Sequence, residues 1–118
     1  MNRFKNILYF ADGVQQDFRV QKDFPAFERA LELSRKNKAR LTVLDVIPDA
    51  QSPGNAVGRL GEHLSRMLRV DREAQLDDLL QGFADPRTPV QRRVVSGIPF
   101  VEVIRAVRSN GYDLVIKD

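Results

Sequence analysis

The chain has 118 residues, enough for one domain around a single hydrophobic core, and its 42% hydrophobic and 30% charged residues are ordinary for a globular protein. Its net charge of +3 comes from arginines that alternate with acidic residues, as on a solvated helix face, so we do not expect nucleic-acid binding. The absence of cysteine excludes disulfides and thiolate chemistry, the single histidine argues against a metal centre, and no apolar run reaches the ~20 residues that a membrane span needs.

The first predicted elements are a strand and a helix. Asn6 to Ala11 is a continuous apolar run, which is typical of a strand covered on both faces in a parallel sheet, and Asp12-Gly13 ends it. No apolar secretory signal precedes this strand, so we expect a cytoplasmic protein. A helix is predicted from Asp23-Phe24-Pro25, since proline is tolerated in the first turn, to Lys36-Asn37. The inward face of this helix consists of Phe27, Ala30, Leu31 and Ser34.

A second apolar run and a long helical pattern follow. Leu41 to Ile47 is predicted as the second strand, which Pro48 closes. Asp45 is unusual in such a strand, because a buried carboxylate needs a partner, and we interpret it as a structural group paired with an arginine. The longest helix is predicted to run up to Asp85-Pro86, from apolar residues at helical spacing. These residues are Leu60, Leu64, Met67, Leu68, Ala74, Leu76, Leu79, Leu80 and Phe83.

The remainder of the chain predicts a strand, a helix and a strand. Val90 to Val95 is a third strand whose polar residues mark it as short or near an edge. Ser96 to Pro99 begins a helix, where Ser96-Gly97 is interpreted either as an anion site at the helix N-terminus or as a cap, which we favour. Asn110-Gly111 ends this helix, and Leu114 to Ile116 is the fourth strand. The helix is predicted to face inward with Val101, Ile104 and either Ala106 or Val107.

The alternation of strands and helices predicts an α/β fold, an open parallel sheet with helices on both faces. Ligands of such sheets bind in the crevice at the carboxyl ends of the strands, and all four ends lie along one edge. A small ligand, if the protein has one, is therefore expected at that edge. The residues predicted there are Asp12, Val46 to Pro48, Ser96-Gly97 and Asp118.

Six short segments follow one another along the chain: Lys5 to Leu8, Ala11 to Gly13, Ala30 to Leu33, Ala39 to Val43, Gly97 to Pro99 and Asp113 to Ile116. In this order and spacing they resemble the universal stress protein family over essentially the whole chain. The resemblance implies a five-stranded, nucleotide-binding-type α/β fold, of which this chain supplies the first four strands. We therefore expect residues 1–118 to be a single domain that is truncated after its fourth strand, similar to the N-terminal domain of a tandem member or to an ATP-independent member.

The resemblance also implies a candidate nucleotide site. Asp12 matches the aspartate that follows the first strand in ATP-binding members, Val46 matches the backbone position beside adenine, and Phe10 occupies a flanking wall position. The phosphate loop of these members begins with Met-Gly at the end of the fourth strand, where this chain has Lys117-Asp118. Glycine lets backbone N–H groups approach an anion, whereas an aspartate adds a repelling charge. We therefore expect no cofactor, with ATP as the alternative.

Simpler interpretations of these residues stay open. Asp12 before Gly13 favours a tight turn as much as a binding site. Lys117 lies at a strand end with its side chain free to point into solvent, although a turn toward the crevice would partly offset the charge of Asp118. His63 stands among charged residues on a helix face, and we interpret it as a solvated side chain.

Catalysis finds little support, because the sequence has no nucleophile elbow, no metal-ligand cluster and no Gly-Lys-Ser phosphate loop. Two functions remain. The first is a non-enzymatic stress-response module that acts by dimerising or by packing against a second domain of the same family. The alternative is an ATP-binding switch whose phosphate loop lies beyond Asp118. Since the resemblance leaves Leu114 to Ile116 with an unpaired apolar edge, we expect self-association or covering by a partner.

Overall fold

The computed structural model describes residues 3–11, 24–47, 56–83 and 88–117, with only the backbone at positions 56–62 and 65. Four strands and three helices alternate in this part of the chain. In chain order they are β1 (Asn6–Phe10), α1 (Pro25–Asn37), β2 (Arg40–Ile47), α2 (Ala56–Gly82), β3 (Val90–Ser96), α3 (Pro99–Asn110) and β4 (Leu114–Lys117).

The strands form one parallel sheet in the order β3-β2-β1-β4. The chain steps from β1 to β2 to β3 in one direction and then crosses back to β4 beside β1. Because such crossovers are right-handed, the reversal moves the last helix to the opposite face of the sheet. The packing agrees: α1 and the end of α2 cover one face, here the α1 face, and α3 covers the other, here the α3 face. The predicted parallel α/β sheet is confirmed.

The larger core lies on the α1 face, where the inward residues predicted for α1 are all buried. Phe27 lies at its centre, with its ring centroid 5.4 Å from that of Tyr9 in β1 and 5.2 Å from that of Phe83 after α2. Pro25 occupies the first turn of α1, as predicted. One aromatic side chain thus joins β1, α1 and the end of α2.

Among the α2 side chains that the structure describes, the apolar ones buried against the sheet lie in the second half of the helix. Leu76 and Leu79 are buried, whereas Leu64 and Met67 are 51% and 56% exposed. The reason is length: 27 helical residues span about 40 Å, while the eight residues of β2 span about 26 Å. The predicted helix is therefore present and ends at Gly82, before Phe83 of the predicted run, and Leu64 and Met67 of its apolar stripe are exposed.

The inward face predicted for α3 is wrong at two positions. Val101 and Ile104 are 42% and 43% exposed, while Ala106 is buried. The sheet contact is made by Ala106 together with Val103 and Val107, which pack against Leu8, Phe10, Leu44 and Val46. The predicted pair, Val101 and Ile104, and the observed set, Val103, Ala106 and Val107, both have helical spacing. The periodicity alone therefore did not decide which set faces the sheet. Gly111, in the left-handed conformation at φ 66°, ends the helix as predicted.

Ion pairs join α2 to β3. The Arg92 guanidinium of β3 contacts the Asp77 carboxylate at 2.6 Å and the Glu73 carboxylate at 3.1 Å, both from α2. The hydrogen bond to Asp77 raises the pKa of Arg92 above its usual value. The polar residues of β3 thus have partners on α2, and β3 lies at an edge of the sheet, as predicted. None of the helices described is long and apolar enough to cross a membrane.

Candidate functional site

The carboxyl ends of the four strands meet at one edge of the sheet, where the sequence analysis places a small ligand if the protein has one. In the register, Phe10 lies beside Leu44 of β2 on one side and Lys117 of β4 on the other. Ile47 lies beside Ser96, so the ends of β2 and β3 also coincide. The fold thus brings together Phe10, Val46, Ser96 and Lys117.

Two of the predicted site residues belong to the core of the α3 face. Phe10 is 5% and Val46 is 1% exposed, and both pack with Leu8, Leu44 and Ala106. Their side chains are therefore part of the core and are not exposed at the strand ends. Asp12 and Asp118 lie outside the described residues, so their roles in a nucleotide site or a turn stay predictions.

The Lys117 side chain is exposed, as expected, yet it does not point away from the sheet edge. Its Nζ lies 5.9 Å from the centroid of the Phe10 ring, within the range of a cation–π contact. The ammonium thus lies near a ring of the α3-face core, and the orientation of Lys117 toward a bound ligand stays a prediction. A positive charge therefore stands beside the carboxyl end of β1.

The capping interpretation of Ser96 is wrong. The residue that precedes α3 is Ile98, which makes no side-chain capping hydrogen bond, and Ser96 lies two positions too early. Its hydroxyl oxygen instead accepts a hydrogen bond of 3.0 Å from the Arg69 guanidinium of α2. Side chains alternate between the two faces of a strand, and Ser96 pairs with Ile47 of the α1 face. The Ser96 side chain therefore points toward α2.

A carboxylate that sequence reasoning missed stands close to Gly97. Glu102, in the first turn of α3, has a side chain only 13% exposed and forms an ion pair of 2.9 Å with Arg105. A negative charge in the first turn of a helix is favourable. The place of Glu102 three residues after Pro99 was the signal in the sequence for this role. Because Glu102 already supplies that charge, an anion bound at this helix N-terminus would meet repulsion. The anion-site interpretation of Ser96-Gly97 is therefore disfavoured.

We predict that Gly97→Ala destabilises the fold by about 1–3 kcal/mol. Gly97 has φ +147°, a conformation that residues with a side chain rarely adopt, and an added Cβ would lie 2.7 Å from Glu102 Oε1. Urea unfolding of the variant measures the change. Gly82→Ala is the control, because nothing lies within 4 Å of a Cβ there and alanine is the better helix former. Equal stability of the two variants would contradict the prediction.

Asp45 has the structural role predicted for it. Its carboxylate, in a residue only 1% exposed, lies 3.4 Å from Nε of Arg72, whose side chain reaches down from α2. The contact at Oδ2 is an ion pair without a hydrogen bond of good geometry. The sequence indicated that an arginine would be the partner, but the choice of Arg72 depends on where α2 crosses the sheet.

Nothing in the described region assembles a metal site. No group of three histidine, cysteine, aspartate or glutamate side chains is placed to hold a metal ion within it. His63 is exposed on α2, in agreement with its interpretation as a solvated side chain.

Comparisons with known proteins give the same fold. The model of the universal stress protein family matches residues 3–117. No curated protein matches the chain. Among solved structures, UspA from Lactobacillus plantarum, a universal stress protein, is similar at 20% identity and a TM-score of 0.75, over 98% of this chain and 77% of that one.

Two further structures show the same likeness. The hypothetical protein MJ0577, solved to assign its biochemical function, is 22% identical with a TM-score of 0.66, over 96% of this chain and 73% of that one. A universal stress protein in complex with cAMP is 17% identical with a TM-score of 0.55, over 95% of this chain and 70% of that one. At these identities the structural likeness shows the fold alone.

Proposed function

The chain belongs to the universal stress protein family, and from that premise we propose that it is a cytoplasmic, non-enzymatic stress-response module that acts by pairing with a second copy of itself. The observation that carries the proposal is the outer edge of β4. β1 occupies one side of β4, and no strand of the described residues pairs with the other side. An edge with free backbone groups and apolar side chains is a template for strand pairing.

The β4 sequence suits antiparallel pairing with itself. If a two-fold axis passes through Val115, that residue lies opposite its own copy, and Leu114 lies opposite Ile116 of the second chain. Side chains directly opposite each other share a face, and this register places apolar residues together on both faces. Val115 is 41% exposed, so the pairing would bury apolar surface that is now in contact with water.

Charge complementarity favours the same register. Asp113 lies opposite Lys117 of the second chain, and the two-fold axis repeats this pair of opposite charges at the other end of the strand. In the single chain both side chains lie toward β1: the Asp113 carboxylate oxygens accept hydrogen bonds of 2.9 and 3.2 Å from the backbone N–H groups of Lys5 and Asn6, and the Lys117 ammonium lies near Phe10. Both would have to turn outward to meet across the strand pair. Opposite charges across an antiparallel pair contribute about 0.2–1 kcal/mol each.

The α3 face offers further apolar surface on the same side of the sheet as Val115. Val115 lies beside Leu8, a residue of the α3 face, so its side chain is on that face too. There α3 exposes Phe100 at 74% and Ile104 at 43%. Large exposed apolar patches are rare on monomeric proteins and commonly mark sites of association.

A nucleotide-binding switch is the second candidate. It is favoured by the family member in complex with cAMP and by the Lys117 ammonium beside Phe10 at the strand ends. The Glu102 carboxylate near Gly97 opposes a phosphate at that part of the edge. We therefore place nucleotide binding second to self-association.

Sedimentation equilibrium with and without ATP or cAMP distinguishes the two candidates. We expect the average mass to rise toward that of a dimer with protein concentration and to be the same in the presence of either nucleotide. A monomer at every concentration would contradict self-association. A saturable binding of ATP to this chain, or a mass that changes only when nucleotide is added, would replace the proposal with the switch.

A further inference from the structure

A pocket of about 520 Å³ opens at the end of the sheet opposite the strand-end crevice, where β2 and β3 begin and α1 ends. This volume lies within the range of pockets that hold small molecules, about 300–1,000 Å³. The pocket is lined by Arg35, Lys38, Ala39, Arg40, Thr88 and Pro89.

Three of the lining residues are cationic. Arg35 lies in the last turn of α1, Lys38 follows the helix in the left-handed conformation, and Arg40 opens β2. Neither Lys38 nor Arg40 forms an ion pair with a carboxylate of the residues that the structure describes. Lys38 and Arg40 therefore present positive charge that the described acidic side chains do not neutralise.

The helix dipole explains only part of this charge. Cations near the end of a helix balance the partial negative charge of its last carbonyl groups, which accounts for Arg35 and Lys36. Lys38 directly follows the helix, so the dipole accounts for its charge as well, whereas Arg40 belongs to the neighbouring strand and is not explained in this way. The accumulation of charge on two different elements indicates an anionic ligand.

Thr88 supplies an independent observation. The residue is only 4% exposed, and its hydroxyl has no hydrogen-bond partner among the residues that the structure describes, although Thr88 lines the pocket. Buried hydroxyl groups without a partner are unfavourable and therefore rare. Because the Thr88 oxygen is itself buried, the hydroxyl would donate to a phosphate oxygen in the pocket only after the Thr88 side chain rotates.

We propose that this pocket binds a small phosphorylated molecule, with its phosphate among Lys38, Arg40 and the Thr88 hydroxyl. Phosphate oxygens accept charge-assisted hydrogen bonds from both kinds of cation. The pocket is larger than inorganic phosphate requires, and Ala39 and Pro89 give it an apolar wall, so the ligand has an organic part. The site is independent of self-association through β4.

The test is a titration of the whole chain with ribose 5-phosphate, inorganic phosphate and uncharged ribose, followed by calorimetry and by amide NMR shifts. Ribose 5-phosphate is expected to bind saturably and more tightly than inorganic phosphate, with shifts concentrated at Ala39 and Thr88, and ribose is expected not to bind. Arg40→Gln is expected to weaken binding by roughly tenfold, the loss of one charge-assisted contact. Arg29→Gln is the control, because it removes the same charge from the exposed pair with Glu32 on α1.

Thr88→Val separates a ligand contact from a structural one. Valine has the shape of threonine without the hydroxyl, so we expect several-fold weaker binding and no loss of stability in the protein without ligand. Lower stability without ligand would show that the hydroxyl has a partner in the protein and would overturn its assignment. Absence of saturable binding, or binding that Arg40→Gln and Arg29→Gln weaken equally, would overturn the site.

Discussion

Replacing Arg72 with methionine is expected to lower the free energy of unfolding by about 3–5 kcal/mol, the usual effect of removing one partner from a buried ion pair. Arg72 pairs with Asp45 at 3.4 Å, and Asp45 is 1% exposed in the central region of β2. Methionine keeps the aliphatic length of arginine, so the packing against the strand is largely preserved. The change leaves the Asp45 carboxylate in the core without the Arg72 cation, and desolvation of that charge is the main cost.

Chemical denaturation of three variants tests this asymmetry. Asp45→Asn should cost less than Arg72→Met, because the Arg72 side chain is 18% exposed and its guanidinium is able to turn toward water. The double variant should lose less free energy of unfolding than the sum of the losses in the two single variants, as expected for a coupled pair. Arg66→Met, at an exposed position on the same helix, is the matched control. If Arg72→Met were as stable as this control, the pair would not fasten α2 to β2.

Replacing Val115 with lysine is expected to weaken self-association by at least about tenfold, which corresponds to about 1.4 kcal/mol of association free energy. In the antiparallel pair proposed for β4, residue 115 lies opposite its own copy. The substitution therefore sets two ammonium groups against each other and removes two apolar side chains from the contact. Lysine on an edge strand is also a common means by which proteins prevent strand pairing.

The monomer should tolerate this change, because Val115 is 41% exposed and lies at the edge of the sheet. Sedimentation measures the association, and circular dichroism checks that the variant is folded. Val70→Lys is the control, since Val70 is 69% exposed on α2, away from β4. If the Val115 and Val70 variants associated as strongly as the parent chain, the contact would lie elsewhere.

The sequence predicted β1 and β2 well because these strands are buried on both faces. Ile7 to Ala11 and Leu41 to Ile47 are almost entirely inaccessible to water, and a continuous apolar run is the direct consequence of that environment. The orientation of α3 was beyond the pattern, because Val101, Val103, Ile104 and Val107 make the helix apolar on most of its circumference. Which of these residues face inward depends on the orientation in which α3 packs on the sheet.

The sites depend on the register in which the strands pair, and the spacing of apolar residues in the sequence does not specify this register. Phe10 and Lys117 are far apart in the sequence, and only the pairing of β1 with β4 places the ammonium beside the ring. Likewise, Arg40 and Thr88 line one pocket only because β2 and β3 begin side by side. Ser96 was misassigned for a local reason: proline at position 99 begins the helix two residues later than a serine cap requires.

Disulfide formation by Val115→Cys tests the proposed pairing most directly. The chain has no cysteine of its own, so any disulfide must join two copies through the introduced residue. Side chains directly opposite in an antiparallel pair have Cβ atoms about 4.5–5.5 Å apart, close to the separation in a disulfide. We predict a covalent dimer under mild oxidation, formed much faster than by Val70→Cys. A Val115→Cys chain that stays monomeric, or that oxidises no faster than Val70→Cys, would contradict pairing through β4.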